Sequence, residues 1–172
     1  MTKEIKLPLT QKDIESLNCG DAVYLTGSII TGRDKAVKKL KEIIDSGEKL
    51  PVDINGETIF YVGPTFKDGK ITSAGPTTSK RMDGIVEPLL NNGLKGIIGK
   101  GNVSKDVQDA LKNNKAIYFA AIGGAGALSA KCIKKVDLIC FGEYGTEAVY
   151  RFELEKLPVI VAFDLKGNNI YK

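Results

Sequence analysis

Gly96-Ile-Ile98, Ser104-Lys-Asp-Val-Gln-Asp-Ala-Leu-Lys-Asn113 and Ala116-Ile-Tyr-Phe-Ala-Ala-Ile122 decide the fold class. The outer two are short apolar runs that read as strands, and the segment between them reads as a helix. Strand, helix and strand in that order form a βαβ unit, whose strands run parallel. Downstream, Gly123-Gly-Ala-Gly126 leads into a helix that ends at Lys134. Strands are expected at Leu138–Phe141 and Pro158–Phe163, and a Lys166-Gly-Asn-Asn169 turn leads to a short terminal strand.

Upstream, Thr10-Gln-Lys-Asp13 has the spacing of a capping box and opens a short helix to about Leu17. Ala22–Leu25 and Ser28–Thr31 read as strand, with Gly27 as a bend or bulge between them. Asp34–Asp45 carries Ala36, Val37, Leu40, Ile43 and Ile44 at helical spacing, with Gly47 as its stop. Asn55-Gly56 within Pro51–Val62 predicts a hairpin, and Lys70–Ala74 a strand. A further helix is expected from Ser79 to Asn91-Asn92-Gly93. Hairpin-rich structure followed by βαβα predicts a single α/β domain with a mixed, partly parallel sheet.

The densest chemistry lies in Ser73-Ala-Gly-Pro-Thr-Thr-Ser-Lys-Arg-Met-Asp83, followed by Gly99-Lys-Gly101. Only three of the 25 cationic residues are arginines, Arg33, Arg81 and Arg151. A guanidinium fork grips a carboxylate through two parallel hydrogen bonds, which an ammonium cannot do. Arg81 beside two hydroxyls therefore suits a small, multiply charged anion. Thr77 and Thr78 equally suit capping of the helix that follows. Arg33 stands at a strand-to-helix junction, where it could bind a ligand or pair with Asp34. Lys100 between two glycines reads as a ligand lysine or a solvated one, and Arg151 as a solvated position.

Composition narrows the choice. The chain has 172 residues, 42% hydrophobic and 27% charged, which fits one globular domain. Its net charge of +4 is scattered, and its few aromatics form no stacking platform, so nucleic acid is not an expected partner. No apolar run is long enough to span a membrane, and the first residues lack a signal-peptide core, so the expected location is the cytoplasm. With no histidine, His-based triads and the usual zinc sites are excluded. Cys19, Cys132 and Cys140 form no Cys-x-x-Cys pair, and no metal ligand is expected from this chain. Neither Gly93–Gly101 nor Gly123–Gly126 has the spacing of a nucleotide-binding loop.

Gly75-Pro-Thr-Thr-Ser79, Arg81-Met-Asp83, Gly99-Lys-Gly101, Ala120-Ala-Ile-Gly-Gly124 and Pro158-Val-Ile-Val-Ala-Phe-Asp164 with Gly167-Asn168 occur in an order that resembles one family. It is the β subunit, or C-terminal domain, of iron–sulfur class I fumarate hydratases and L(+)-tartrate dehydratases. The resemblance covers nearly the whole of residues 1–172 and implies a swivelling β/β/α domain. That domain would close over a [4Fe-4S] cluster held by a partner α subunit, in an α2β2 assembly, with a small dicarboxylate as substrate. It implies Thr77 as the catalytic base that takes a proton from carbon, with Arg33, Arg81 and Lys100 holding the carboxylates. The expected reaction is reversible hydration of fumarate to L-malate. Dehydration of L(+)-tartrate to oxaloacetate and non-catalytic binding of a carboxylate or a protein are the alternatives. Two departures are Lys80, where relatives carry a small residue, and the absence of a histidine after Asp34.

Overall fold

A bulge and a double strand pairing, rather than any single helix, give the chain its shape. The computed structural model describes residues 2–121 and 126–171. In chain order these form β1 (Lys3–Lys6), α1 (Gln11–Ser16), β2 (Ala22–Gly32), α2 (Asp34–Ser46), β3 (Thr58–Tyr61), β4 (Thr65–Lys67) and β5 (Lys70–Ser73). A 3-10 turn at Ser79–Met82 follows, then α3 (Glu87–Asn91), β6 (Gly96–Gly99), α4 (Lys105–Asn113), β7 (Ile117–Ala121) and α5 (Gly126–Lys131). β8 (Ile133–Cys140), a second 3-10 turn at Gly142–Glu147 and β9 (Val149–Phe163) complete the series. Among the described residues, no helix is long and apolar enough to cross a membrane.

Local chemistry explains most boundaries. The Thr10 hydroxyl accepts from the Asp13 amide at 3.1 Å and the Asp13 carboxylate accepts from the Thr10 amide at 3.0 Å, so the capping box is complete. Gly47 ends α2 in the left-handed region, at φ 76°. Ser104 caps α4 by accepting from the Val107 amide. In β2 the pairing register slips at Gly27, whose φ of 127° marks a bulge, and a Cβ there would lie 2.8 Å from the Leu7 carbonyl.

Several expectations are corrected. Asn55-Gly56 makes no hairpin, because the turn spends its amides elsewhere. Asn55 donates to the Asp53 carboxylate at 3.0 Å and Gly56 to the Gly93 carbonyl at 2.8 Å. β3 then pairs in parallel with β2 and β6. The real hairpin joins β4 to β5 through Asp68-Gly69, both at positive φ, as a type I′ turn requires. The helix expected over 79–91 is broken. Asp83 is extended and Gly84 sits at φ 86°, so the right-handed path stops before Pro88 opens α3. α5 ends at Lys131 rather than Lys134, and β8 begins at Ile133 instead of at Leu138. β9 runs for 15 residues, reaching back far beyond Pro158. The last expected strand is reduced to a single Phe163–Asn169 bridge. The first three residues of the Gly-Gly-Ala-Gly loop, 123–125, lie outside the described residues.

The sheet order is β1-β2-β3-β6-β7-β9-β8, with β9 paired to β2 as well. β1, β2, β3, β6 and β7 are mutually parallel, while β9 is antiparallel to β2, β7 and β8. Val159 and Ile160 meet Val23 and Ala22 of β2 on one edge and Ala121 and Ala120 of β7 on the other. β2, β3, β6, β7 and β9 therefore close into a barrel-like ring, with β1 and β8 as extensions. The mixed, partly parallel sheet expected from the sequence is present.

Period-two alternation sends side chains to two cores. Leu25, Ile29, Phe60, Ile98, Phe119 and Val161 form one core with α1 and β1 residues. Ile59, Tyr61, Ile97 and Tyr118 face the other way, beneath Val37 and Leu40 of α2, Leu89 and Leu90 of α3, and Val107 and Leu111 of α4.

Asp164 fastens the end of β9. It is fully buried and accepts from the amides of Cys19, Lys166 and Asn168 at 2.8, 2.9 and 3.1 Å, and from the Asn168 side chain at 3.2 Å. Burial by itself would raise its pKa, but these donors outweigh it and hold the carboxyl below its ordinary value of 3.8. A carboxylate depressed on folding contributes stability that is fully present above that ordinary value and lost as pH falls through the folded one. Asp164→Asn should therefore lower stability by about 1.5–3 kcal/mol at neutral pH. Urea unfolding of both proteins should show the gap narrowing as the pH is taken from about 6 to about 3.

Candidate active site

Strands β2, β3, β6 and β7 are parallel, so their carboxyl ends share one rim. Ligand sites in open α/β sheets form at such ends, because the loops there are free of the sheet's own hydrogen bonding. Arg33 directly follows β2, Gly63 lies just past β3, and Lys100 directly follows β6. The Gly75–Thr78 loop crosses this rim. Thr77 donates its amide to the Tyr61 carbonyl at 2.7 Å, Val62 bridges Pro76, and Thr78 bridges Lys100 in parallel.

The result is a polar cleft of about 300 Å³ lined by Arg33, Gly63, Gly75, Pro76, Thr77, Thr78, Arg81 and Lys100. All four residues singled out from sequence, Thr77, Arg33, Arg81 and Lys100, line it together. Thr77 is only 9% exposed, whereas the Arg81 and Lys100 side chains reach solvent. Among the described residues the Thr77 hydroxyl has no hydrogen-bond partner. The capping reading of the two threonines fails, because the following turn is 3-10 and Thr78 makes no side-chain cap bond. Lys80 faces a different hollow, beside Asn102, Ser104 and Gln108, and so does not crowd the cleft.

The sequence leaves Arg33 either binding a ligand or paired with Asp34. The structure pairs Asp34 with Arg81 instead, Nη2 to Oδ2 at 2.8 Å. That pair is too exposed to stabilise the fold by more than about 1 kcal/mol, so its consequence is orientation of the guanidinium. Arg33 lies against Gly63, where a Cβ would come within 2.6 Å of the Arg33 Cδ and Nη1 atoms. Among the described residues its buried Nε has no partner. Three cations and one carboxylate leave the cleft with two net positive charges, the complement of a dicarboxylate dianion.

Arg151 is not the solvated residue expected from sequence. It is half-buried on β9 and donates to Ser28 at 2.8 Å and Glu57 at 2.9 Å. The signal that would have shown this is the alternation Tyr150-Arg-Phe-Glu-Leu-Glu155, a period-two strand pattern with charges on one face.

An iron–sulfur cluster does not fit the thiols of this chain. Cys132 just precedes β8 and Cys140 ends it, about 26 Å apart at roughly 3.3 Å per residue. Cys19 lies between α1 and β2, its amide on Asp164. Burial raises the pKa of both Cys132 and Cys140, that of Cys140 to about 11, which opposes the thiolate a metal requires. Among the described residues, no three His, Cys, Asp or Glu side chains come together as a metal site.

Comparison with known proteins shows which family the chain resembles in sequence. A protein of Methanocaldococcus jannaschii, provisionally described as L(+)-tartrate dehydratase subunit beta, is 41% identical over 95% of this chain and 88% of its own length. The anaerobic class I fumarate hydratase of Escherichia coli is 38% identical over 99% of this chain and 31% of its own length. Fumarate hydratase 2 of Leishmania major is 38% identical over 98% and 31%. The chain thus spans about a third of the fumarate hydratases and most of the dehydratase subunit. A family model described as Fumarase C-terminus matches residues 1–172, and the chain belongs to that family.

Proposed function

We propose that this chain is the β component of an iron–sulfur hydro-lyase that interconverts L-malate and fumarate. The observation that carries the reading is the convergence of Thr77, Arg33, Arg81 and Lys100 on one dipositive cleft. The [4Fe-4S] cluster belongs, on this reading, to a partner α subunit in an α2β2 complex, in keeping with the poor fit of this chain's own cysteines. The present domain is then a swivelling lid that brings its cleft to that partner, in the cytoplasm.

Within the cleft the division of labour follows from residue type. Arg33, Arg81 and Lys100 hold the two carboxylates and fix the carbon chain between them, and such orientation can lower a barrier by several kcal/mol. The Thr77 oxygen takes a proton from the carbon next to one carboxylate. The carbon–hydrogen electrons form the double bond as hydroxide leaves the neighbouring carbon; that hydroxide takes the proton back from the Thr77 hydroxyl, so malate yields fumarate and water and the Thr77 alkoxide is restored. A threonine alkoxide is strongly basic and unfavourable in water. The low exposure of Thr77 adds to that cost, and the surrounding cations offset it, because opposite charges favour the ionised form.

Dehydration of L(+)-tartrate remains the second reading, favoured by the archaeal relative that shares most of its length with this chain. Anaerobic reconstitution with the partner chain, assayed on malate, fumarate and tartrate, separates the two. Thr77→Ala should lower kcat by at least about a hundredfold while the complex still assembles, as measured by steady-state kinetics and gel filtration. Near-normal turnover in that variant would remove Thr77 from the role of base. Arg81→Lys keeps the charge but loses the fork, so KM for the dicarboxylate should rise about tenfold or more. An unchanged KM would argue against bidentate binding.

A further inference from the structure

Behind the cleft lies a chain of hydrogen bonds that no part of the proposed chemistry uses. Ser79 donates its amide to the Lys100 carbonyl at 2.9 Å, and its Oγ accepts from the Lys100 amide at 3.0 Å. One residue thus holds both backbone polar groups of Lys100. The same Oγ lies 2.8 Å from the Tyr118 hydroxyl, which donates to the Gly101 carbonyl at 2.6 Å. Proton counting fixes the direction. A phenol has one proton and the Gly101 carbonyl can only accept, so Ser79 must donate to Tyr118. The order is Lys100 N–H to Ser79 O–H to Tyr118 O–H to Gly101 C=O. It begins and ends on the Gly-Lys-Gly loop.

The fold makes room for this chain of bonds. Ser79 and Tyr118 are each 1% exposed. A Cβ on Gly99 would run into the Ser79 Oγ and approach the Tyr61 ring to 3.1 Å. Burial raises the Tyr118 pKa well above its ordinary value, which keeps the phenol protonated and able to donate. Bonds arranged head to tail in a buried setting strengthen one another. Ser79 is also two residues from Thr77, whose amide is tied to Tyr61. The spacing between the proposed base and Lys100 is therefore set by Ser79 together with the Thr78–Lys100 bridge.

We infer that Ser79 and Tyr118 are positioning residues that hold Lys100 at its place in the cleft relative to Thr77. The inference rests on the reading of Lys100 as a substrate-binding residue. Tyr118→Phe removes one hydroxyl and leaves the ring packing, so its effect should reach substrate through Lys100 alone.

The test is a double-mutant cycle on the reconstituted complex, with malate as probe. Tyr118→Phe should raise KM about tenfold with a smaller change in kcat. In a Lys100→Ala background the same substitution should change KM less than about twofold, since the residue it positions is gone. Ser79→Ala, which leaves the tyrosine in place, should give the same cycle and serves if Tyr118→Phe fails to fold. A KM unaffected by Tyr118→Phe or Ser79→Ala, or raised by the same factor with and without Lys100, overturns the inference while the site reading stands. A Lys100→Ala enzyme with normal KM and kcat overturns both.

Discussion

The structure depends on one strand pairing twice. β9 lies against β2 along one edge and against β7 and β8 along the other, so a sheet that would otherwise end at β2 and β7 is closed. Closure removes exposed edges at the ring and gives the inner core a boundary on every side. It also fixes the parallel strands relative to one another. Arg33, Gly63 and Lys100 follow three of those strands, so the rim of the ring becomes a rigid frame for charged side chains. The energetic content lies in two cores of buried aliphatic and aromatic residues on opposite faces of the strands.

On that frame the cleft is built mainly from loops whose polarity is satisfied by backbone bonding. The Thr77 amide and both backbone groups of Lys100 are occupied, which leaves the Thr77 hydroxyl and the Lys100 ammonium to face a ligand. Asp34 turns Arg81 without neutralising the cleft. This is preorganisation in the ordinary sense. On the proposed function, groups that act together are held by neighbours outside the chemistry, and little ordering remains to be done when substrate arrives.

The division from the proposed partner has a chemical basis. This chain supplies cations and a hydroxyl, while two of its cysteines stand at opposite ends of β8 and are raised in pKa. A cleft of this kind can orient a dicarboxylate and accept a proton. On the proposed function a second chain's cluster would assist departure of the hydroxide, since this chain's thiols do not suit one.

Much was legible in the sequence because it depends on near neighbours. The Thr10 capping box, the Gly47 helix stop, the Gly27 bulge and the βαβ order of residues 96–121 follow from spacing and backbone preference within a few positions. The residues that line the cleft were also legible, since unusual arginines and a Gly-Lys-Gly loop stand out in a lysine-rich chain. Residue pairings were not. Asp34 turning to Arg81, Tyr118 reaching Gly101, and Asn55-Gly56 failing to make a hairpin were decided by groups brought near from distant positions. β9 was half read, since its first half carries only the period-two alternation of Tyr150–Glu155 and lacks the apolar run of Pro158–Phe163. Sequence determined which residues could act and where the backbone would turn. The tertiary structure decided which of them meet, since ring closure and hydrogen-bond partnership depend on distance in space and not along the chain.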